Sequence, residues 1–267
     1  MEYKVHKADC LDSLKKMDDE SIDLVITSPP YNIGIKYGKY EDKKPRDQYI
    51  SWIFDIFKEV KRVLKPNGQL FLNIGYTNVD PWIDMEIAMK LKEIYELQNN
   101  ITWIKSISIG DATTGHFKPI NSKRFINPTN EKIFHFTKTG KVELDRLSIG
   151  VPYTYKCNLK EREKKKNKTG ELKPDKRCKG NSWFIPYETV CNKKSKGYHP
   201  ATFPKKLVEQ CLLVSGIKTG TVLDPFAGTG TTLVVAKELS KKNEYNFSGI
   251  GYDIDPGYVE YANQQLA

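Results

Sequence analysis

No apolar run in this chain approaches the roughly 20 residues a helix needs to cross a bilayer. The amino terminus also lacks the basic, apolar and small-residue zones of a secretory signal. A membrane protein and an exported one are both disfavoured, and a cytoplasmic location is expected. Cysteine is scarce: the five (10, 157, 178, 191, 211) are odd in number and show no Cys-x-x-Cys spacing. That argues against a disulfide framework and for free thiols in a reducing compartment. Cys157, Cys178, Cys191 and His199 could be assembled into a zinc site only against that pattern, and no metal is expected. No internal repeat is visible. What remains is a chain of 267 residues, 39% apolar, with 14 prolines. It suits one large domain, or one domain carrying an insertion.

Charge is abundant but uneven. The net charge is +10, which calls for an anionic partner. From Lys156 to Lys196 there are 14 Lys/Arg against 5 Asp/Glu, and the rest of the chain has 29 against 28. A run such as Lys164-Lys165-Lys166 can be a solvated loop and nothing more. Here Trp183, Phe184 and Tyr187 lie within the segment, with Tyr153, Tyr155 and Tyr198 beside it. Cations for phosphates together with flat rings for bases fit nucleic acid better than a tether.

The stretch Asp224-Pro225-Phe226-Ala227-Gly228-Thr229-Gly230-Thr231-Thr232 sits between the apolar Val222-Leu223 and Leu233-Val234-Val235-Ala236. It reads as strand, glycine turn, helix. Two glycines permit a sharp turn and close approach of a ligand, toward which the helix start aims unpaired N–H groups. No lysine follows the glycines, so it is not a P-loop, and the third glycine of a dinucleotide fingerprint is missing. A purely structural turn would read the same way. The next strand, Phe247 to Tyr252, ends in Asp253, about 20 residues on, where an acid grips ribose hydroxyls in such folds. An adenosine-type ligand is favoured, and Asp224 offers a carboxylate for a cationic group.

Earlier in the chain, Tyr3 to Ala8 reads as a strand ending at Asp9, and Ser21 to Ile26 as a doubly buried strand. The latter stops at Ser28-Pro29-Pro30-Tyr31, whose prolines fix their own φ and cannot continue a ladder. Helices are expected over Tyr49 to Leu64, Trp82 to Leu97 and Pro204 to Val214. Strands are expected over Gln69 to Ile74, Ile101 to Ile104 and Glu131 to Thr137, the last alternating as an antiparallel edge member would. Residues 105–130 read as irregular. The alternation of strands and helices implies an α/β fold with a mostly parallel sheet covered on both faces.

Ser28-Pro29-Pro30-Tyr31 combined with Asp224 to Thr232 resembles the AdoMet-dependent DNA amino-methyltransferases, over most of the chain. His199-Pro200-Ala201-Thr202-Phe203-Pro204, Asp9-Cys10-Leu11 and Val63 to Gly68 are similar to further segments of that family. The tetrapeptide precedes the glycine loop, with the basic segment between them, an order that resembles the circularly permuted beta group. The resemblance implies a Rossmann-like fold in three parts: a catalytic half over 1–140, an inserted target-recognition segment over 141–197, and an AdoMet-binding half over 198–267. It implies S-adenosyl-L-methionine held by Asp9, Cys10, His199, Thr202, Asp224, Pro225, Phe226, Ala227, Gly228, Gly230, Thr231, Thr232 and Asp253.

By the same resemblance, Ser28 and the Pro29 carbonyl accept the two N–H groups of a base amine. Pro30 stiffens the segment and Tyr31 stacks on the flipped base. Members with serine at the first position mostly modify cytosine N4, those with aspartate adenine N6, so N4-cytosine is expected and N6-adenine is the alternative. A non-catalytic DNA-binding protein with a relic pocket is the alternative of another class. Double-stranded DNA is the expected partner, and a restriction endonuclease acting on the same site is a further candidate. The protein is expected to be a monomer or a homodimer.

Overall fold

The computed structural model describes residues 2–35, 40, 42–115, 119–154, 176–187 and 203–267. The first four strands are β1 (Tyr3–Lys7), β2 (Ile22–Thr27), β3 (Leu64–Ile74) and β4 (Glu96–Ile104). A hairpin follows, β5 (Ser106–Ile109) and β6 (Ala112–Gly115), then β7 (Asn130–Thr137). The short β8 (Val151–Pro152), β9 (Lys176–Arg177) and β10 (Ser182–Phe184) precede β11 (Thr219–Asp224) and β12 (Asn246–Asp253). The helices are α1 (Cys10–Leu14), α2 (Arg46–Val63), α3 (Ile83–Leu91), α4 (Lys205–Val214), α5 (Thr231–Ser240) and α6 (Pro256–Leu266).

Eight strands form one sheet in the order β1-β12-β11-β2-β3-β7-β4-β10. Every neighbouring pair is parallel except the two that involve β7. Successive side chains of a strand face opposite ways, and the packing follows this. Val25, Leu70, Leu72 and Phe136 join Leu14, Ile53, Phe57, Val60 and Ile87 on the face covered by α1, α2 and α3. Leu24, Ile26, Phe71 and Ile133 join Leu207, Cys211, Val235 and Leu239 on the face covered by α4 and α5. The α/β architecture expected from the sequence is therefore present, with helices on both faces. Along α2 the buried Tyr49, Ile53, Ile56, Phe57, Val60 and Val63 recur at helical spacing. Each such side chain contributes about 1.5–3 kcal/mol when removed from water.

The two ends of the sequence meet, as a permuted chain requires. Val5 N–H donates to Asn263 Oδ1 (3.0 Å), and Asn263 Nδ2 donates to the Val5 carbonyl (2.9 Å).

Several elements differ from their sequence expectations. The helix expected to reach Leu97 stops at Leu91, and the chain is already in strand by Glu96. Tyr95 enforces the turn: it is buried and its hydroxyl donates to the Phe57 carbonyl (2.9 Å), pulling the chain back onto α2. The strand expected at an edge, β7, lies inside the sheet between β3 and β4. Its alternating polar positions, His135 and Thr137, are buried and hydrogen-bonded rather than solvated. Residues 105–130, expected to be irregular, contain the β5–β6 hairpin, turned through Gly110 at φ 58°. Within the basic 141–197 segment, β10 adds itself to the far edge of the sheet and buries Trp183 and Ile185.

Candidate active site

Because β1, β12, β11, β2 and β3 run the same way, Asp9, Asp253, Asp224, Ser28 and Gly75 all emerge at one edge. Residues far apart in sequence become neighbours there, at the carboxyl ends of an open α/β sheet, where ligands bind.

The glycine loop is built as the sequence reading expected. β11 ends at Asp224, Gly228 and Gly230 adopt φ of 51° and 81°, and α5 starts at Thr231. A Cβ on Gly230 would meet the Ala262 Cβ at 2.9 Å. Ala227 is buried and its N–H donates to the Tyr252 carbonyl (2.9 Å). Asp253 is wired to the loop: its Oδ2 accepts the Gly228 N–H (2.9 Å), and its Oδ1 accepts the Asp255 N–H (2.8 Å). A carboxylate has room for about four such bonds, so both oxygens can accept further donors. Burial raises the Asp253 pKa from its ordinary value.

Asp224 differs from its expected role. Its carboxylate is turned inward, with Oδ1 accepting from Thr27 Oγ1 (2.6 Å) and the Phe226 N–H (3.1 Å), and Oδ2 from Thr232 Oγ1 (2.7 Å). Buried and hydrogen-bonded through both oxygens by its own chain, it ties the end of β2 to the glycine loop instead of presenting charge to a ligand. Burial pushes this carboxyl up to about 6, against those hydrogen bonds. The same tie brings Ser28, next to Thr27, beside the loop that follows Asp224.

On the other flank, Asp9 caps α1 by accepting the Leu11 and Asp12 N–H groups (2.8 and 3.1 Å). Cys10 is buried, and burial with the charges of Asp9 and Asp253 raises its thiol pKa well above the ordinary value. It stays a neutral thiol. Pro225 links Asp224 to Phe226, whose ring meets Trp52 of α2 edge-on (5.6 Å between centroids). His199 and Thr202 lie outside the described residues.

Ser28-Pro29-Pro30-Tyr31 leaves β2 and is pinned twice. Tyr49 Oη donates to the Pro30 carbonyl (2.7 Å), and Ser28 Oγ lies 2.9 Å from Tyr31 Oη. Tyr31 Oη also faces Asn73 Oδ1 (3.2 Å) and Glu131 Oε2 (3.1 Å). Beyond Tyr31 the chain is stapled by buried Asp42, which accepts the N–H groups of Asn32, Ile33 and Ile35. Sequence reasoning missed Asn73, Glu131, Lys105, Tyr49 and Asp42. Glu131 and Lys105 reach the catalytic edge because β7 enters there while β4 leaves, and no local pattern marks either residue.

The sequence model of the DNA methylase family, of N6 and N4 amino-methyltransferases, matches residues 22–264. The chain belongs to this family. A Bacillus subtilis relative, the type II methyltransferase M.BglII, is 31% identical over 271 residues, covering 99% of this chain and 69% of that protein. Among solved structures, the PvuII DNA methyltransferase (cytosine-N4-specific) overlays with a TM-score of 0.71 at 21% identity. That overlay covers 100% of this chain and 87% of that one. The M1.HpyAVI–SAM complex overlays at 0.57 and 21% identity, covering 99% and 98%. At such identities the two structures show a shared fold. Among the described residues of the methylase, no helix is long and apolar enough to cross a membrane, and no cluster of His, Cys, Asp and Glu could hold a metal ion.

Proposed function

We propose that this methylase transfers a methyl group from S-adenosyl-L-methionine to the N4 amine of a cytosine flipped out of duplex DNA, within a restriction-modification system. The observation that carries the reading is the tie through Thr27 and Asp224, which sets Ser28 beside the glycine loop. The loop suits the adenosyl group. Left-handed glycines bring bare backbone to the start of α5, and Asp253 keeps free acceptor capacity for ribose hydroxyls. Asp9 and buried Cys10 stand on the neighbouring strand end as a wall for the adenine, and the resemblance of their segment to the family's gives His199 and Thr202 a part in holding the cofactor. When bound, the cofactor supplies a sulfonium methyl open to in-line displacement.

The protein supplies position. An exocyclic amine is a poor nucleophile because its lone pair is delocalised into the ring. Ser28 Oγ and the Pro29 carbonyl accept its two N–H groups and draw it toward tetrahedral geometry, freeing the lone pair. Pro30, held by Tyr49, stiffens the segment, and the Tyr31 ring stacks on the base. Serine at position 28 favours cytosine N4, and the likeness to M.BglII, a type II methyltransferase, favours a partner nuclease reading the same site.

The test is nucleoside mass spectrometry of duplex DNA incubated with the protein and the cofactor. N4-methylcytosine is the expected product. N6-methyladenine would overturn the base assignment, and methyl groups found only in RNA or protein would overturn the DNA reading. Cofactor binding absent by calorimetry while DNA binding persists would point to a relic pocket.

A further inference from the structure

We infer that Glu131, held by Lys105, is a positioning residue that sets the direction of the hydrogen bond between Tyr31 and Ser28 and so makes Ser28 an acceptor toward the substrate amine. This inference rests on the amine-methylating reading above.

Asn73 Nδ2 donates to Glu131 Oε2 and to the Lys132 carbonyl (both 3.1 Å), which leaves Asn73 Oδ1 facing Tyr31 Oη. Tyr31 Oη therefore meets two oxygens that can only accept, Asn73 Oδ1 and Glu131 Oε2. Its single hydrogen goes to one of them, and the carboxylate is the stronger acceptor. With that hydrogen committed, the 2.9 Å approach to Ser28 must be filled from the serine side. Ser28 Oγ then has no hydrogen left to offer, and its two lone pairs remain to receive an amine N–H.

Two features show that the cluster is built for this hydrogen bond. Lys105 Nζ donates to Glu131 Oε1, holding the carboxylate in place, and lies over the Trp103 and Tyr187 rings (4.9 and 5.8 Å to centroids). At Gly75, a Cβ would stand 2.8 Å from Tyr31 Cε2 and 3.0 Å from Glu131 Cδ, so a side chain there would fill the space in which the two residues meet. In Glu131→Gln, Lys105 would keep the amide oxygen and turn Nε2 toward Tyr31. The tyrosine would then receive a hydrogen and keep only the weaker acceptor, Asn73 Oδ1, so its own hydrogen would be shared between Asn73 and Ser28.

The test is single-turnover methylation of duplex DNA by wild type, Glu131→Gln, Lys105→Met, Tyr31→Phe and the two doubles with Tyr31→Phe, with cofactor and DNA dissociation constants measured alongside. Glu131→Gln is expected to slow transfer about 10- to 100-fold, Lys105→Met less, and both dissociation constants should stay within about threefold. In the Tyr31→Phe background neither substitution should slow transfer further, because both act through the missing hydroxyl. Equal losses in both backgrounds, an unchanged rate in Glu131→Gln, or a loss lying wholly in binding would overturn the inference. A wild-type protein that methylates no nucleic-acid amine would overturn the functional reading, and this inference with it.

Discussion

At His135 the ring lies at the centre of the sheet, stacked on Phe71 (4.4 Å between centroids). Asn99 Nδ2 donates to its Nδ1 (2.9 Å), its Nε2–H donates to Gln69 Oε1 (3.1 Å), and Gln69 Nε2 donates to the Ser215 carbonyl (2.8 Å). Every bond in this chain runs in one direction only if the ring is neutral. A second ring proton would point at the Asn99 amide hydrogens. Burial accordingly lowers the His135 pKa from 6.5 to about 4. Between those values the unfolded chain binds the proton and the folded one does not. Stability from this group is thus full above about pH 6.5 and lost as pH falls toward 4, by up to about 3 kcal/mol. His135→Gln, which keeps a donor and an acceptor without a titrating ring, should flatten the pH dependence of the urea midpoint across that window relative to wild type. Parallel profiles would show that the ring does not titrate there. On the proposed function, Ser28 and Asp253 divide the work. Ser28→Ala should slow single-turnover transfer about 100-fold or more with cofactor affinity little changed, whereas Asp253→Ala should weaken cofactor binding about 10- to 100-fold. Calorimetry with single-turnover kinetics separates the two, and equal loss of cofactor affinity in both would contradict the division.

The turn between β11 and α5 shows the same dependence on backbone at the level of an element. Gly230 holds φ at 81° and has Ala262 of α6 where its Cβ would be. Gly230→Ala combines left-handed strain with a clash between two elements, so a loss of about 1–3 kcal/mol is expected by urea denaturation, together with weaker cofactor binding. An unchanged midpoint would mean that the loop relaxes freely. This turn was legible in the sequence because its determinants are local: a glycine pair between two apolar runs, then an acid one strand later. The place of β7 was not. His135 and Thr137 read as a solvated face, and only the long-range partners Gln69, Asn99 and Gln98 make their burial tolerable. The overshoot of the helix past Leu91 has the same origin, since Tyr95 turns inward to reach α2. For the site, the tetrapeptide, the glycine loop and Asp253 announced themselves as contiguous motifs. Asn73, Lys105 and Glu131 are brought together from separate parts of the chain, and only the sheet order collects them. Asp224 was legible as a motif residue but not in its role, because the motif does not say which way its carboxylate turns.

Across the whole molecule the charge of +10 is concentrated between Lys156 and Lys196, and residues 176–187 of that segment are anchored at the sheet edge that carries the candidate site. Ile185 N–H donates to the Ile104 carbonyl (3.0 Å), Trp103 Nε1 donates to the Ile185 carbonyl (2.8 Å), and Tyr187 lies under the Lys105 ammonium. Residues 176–187 therefore join the body beside Lys105 and Glu131; on the proposed function, phosphates held by the basic segment would belong to the duplex from which the base is drawn. Each phosphate neutralised by a lysine steepens the salt dependence of binding by about 0.9 in log–log slope. Replacing Lys164, Lys165, Lys166 and Lys168 together with glutamine should weaken duplex binding. It should also flatten that slope by about 0.9 for every phosphate no longer neutralised, up to about 3.6. The weakening should be similar for unrelated duplex sequences, because bonds to phosphate carry position rather than sequence. Cofactor affinity without DNA should not move, since the glycine loop and Asp253 are built from β11, α5 and β12. Fluorescence anisotropy over a salt series reads the slope directly. An unchanged slope would make the run a solvated loop and leave the phosphates to lysines and arginines elsewhere on the chain.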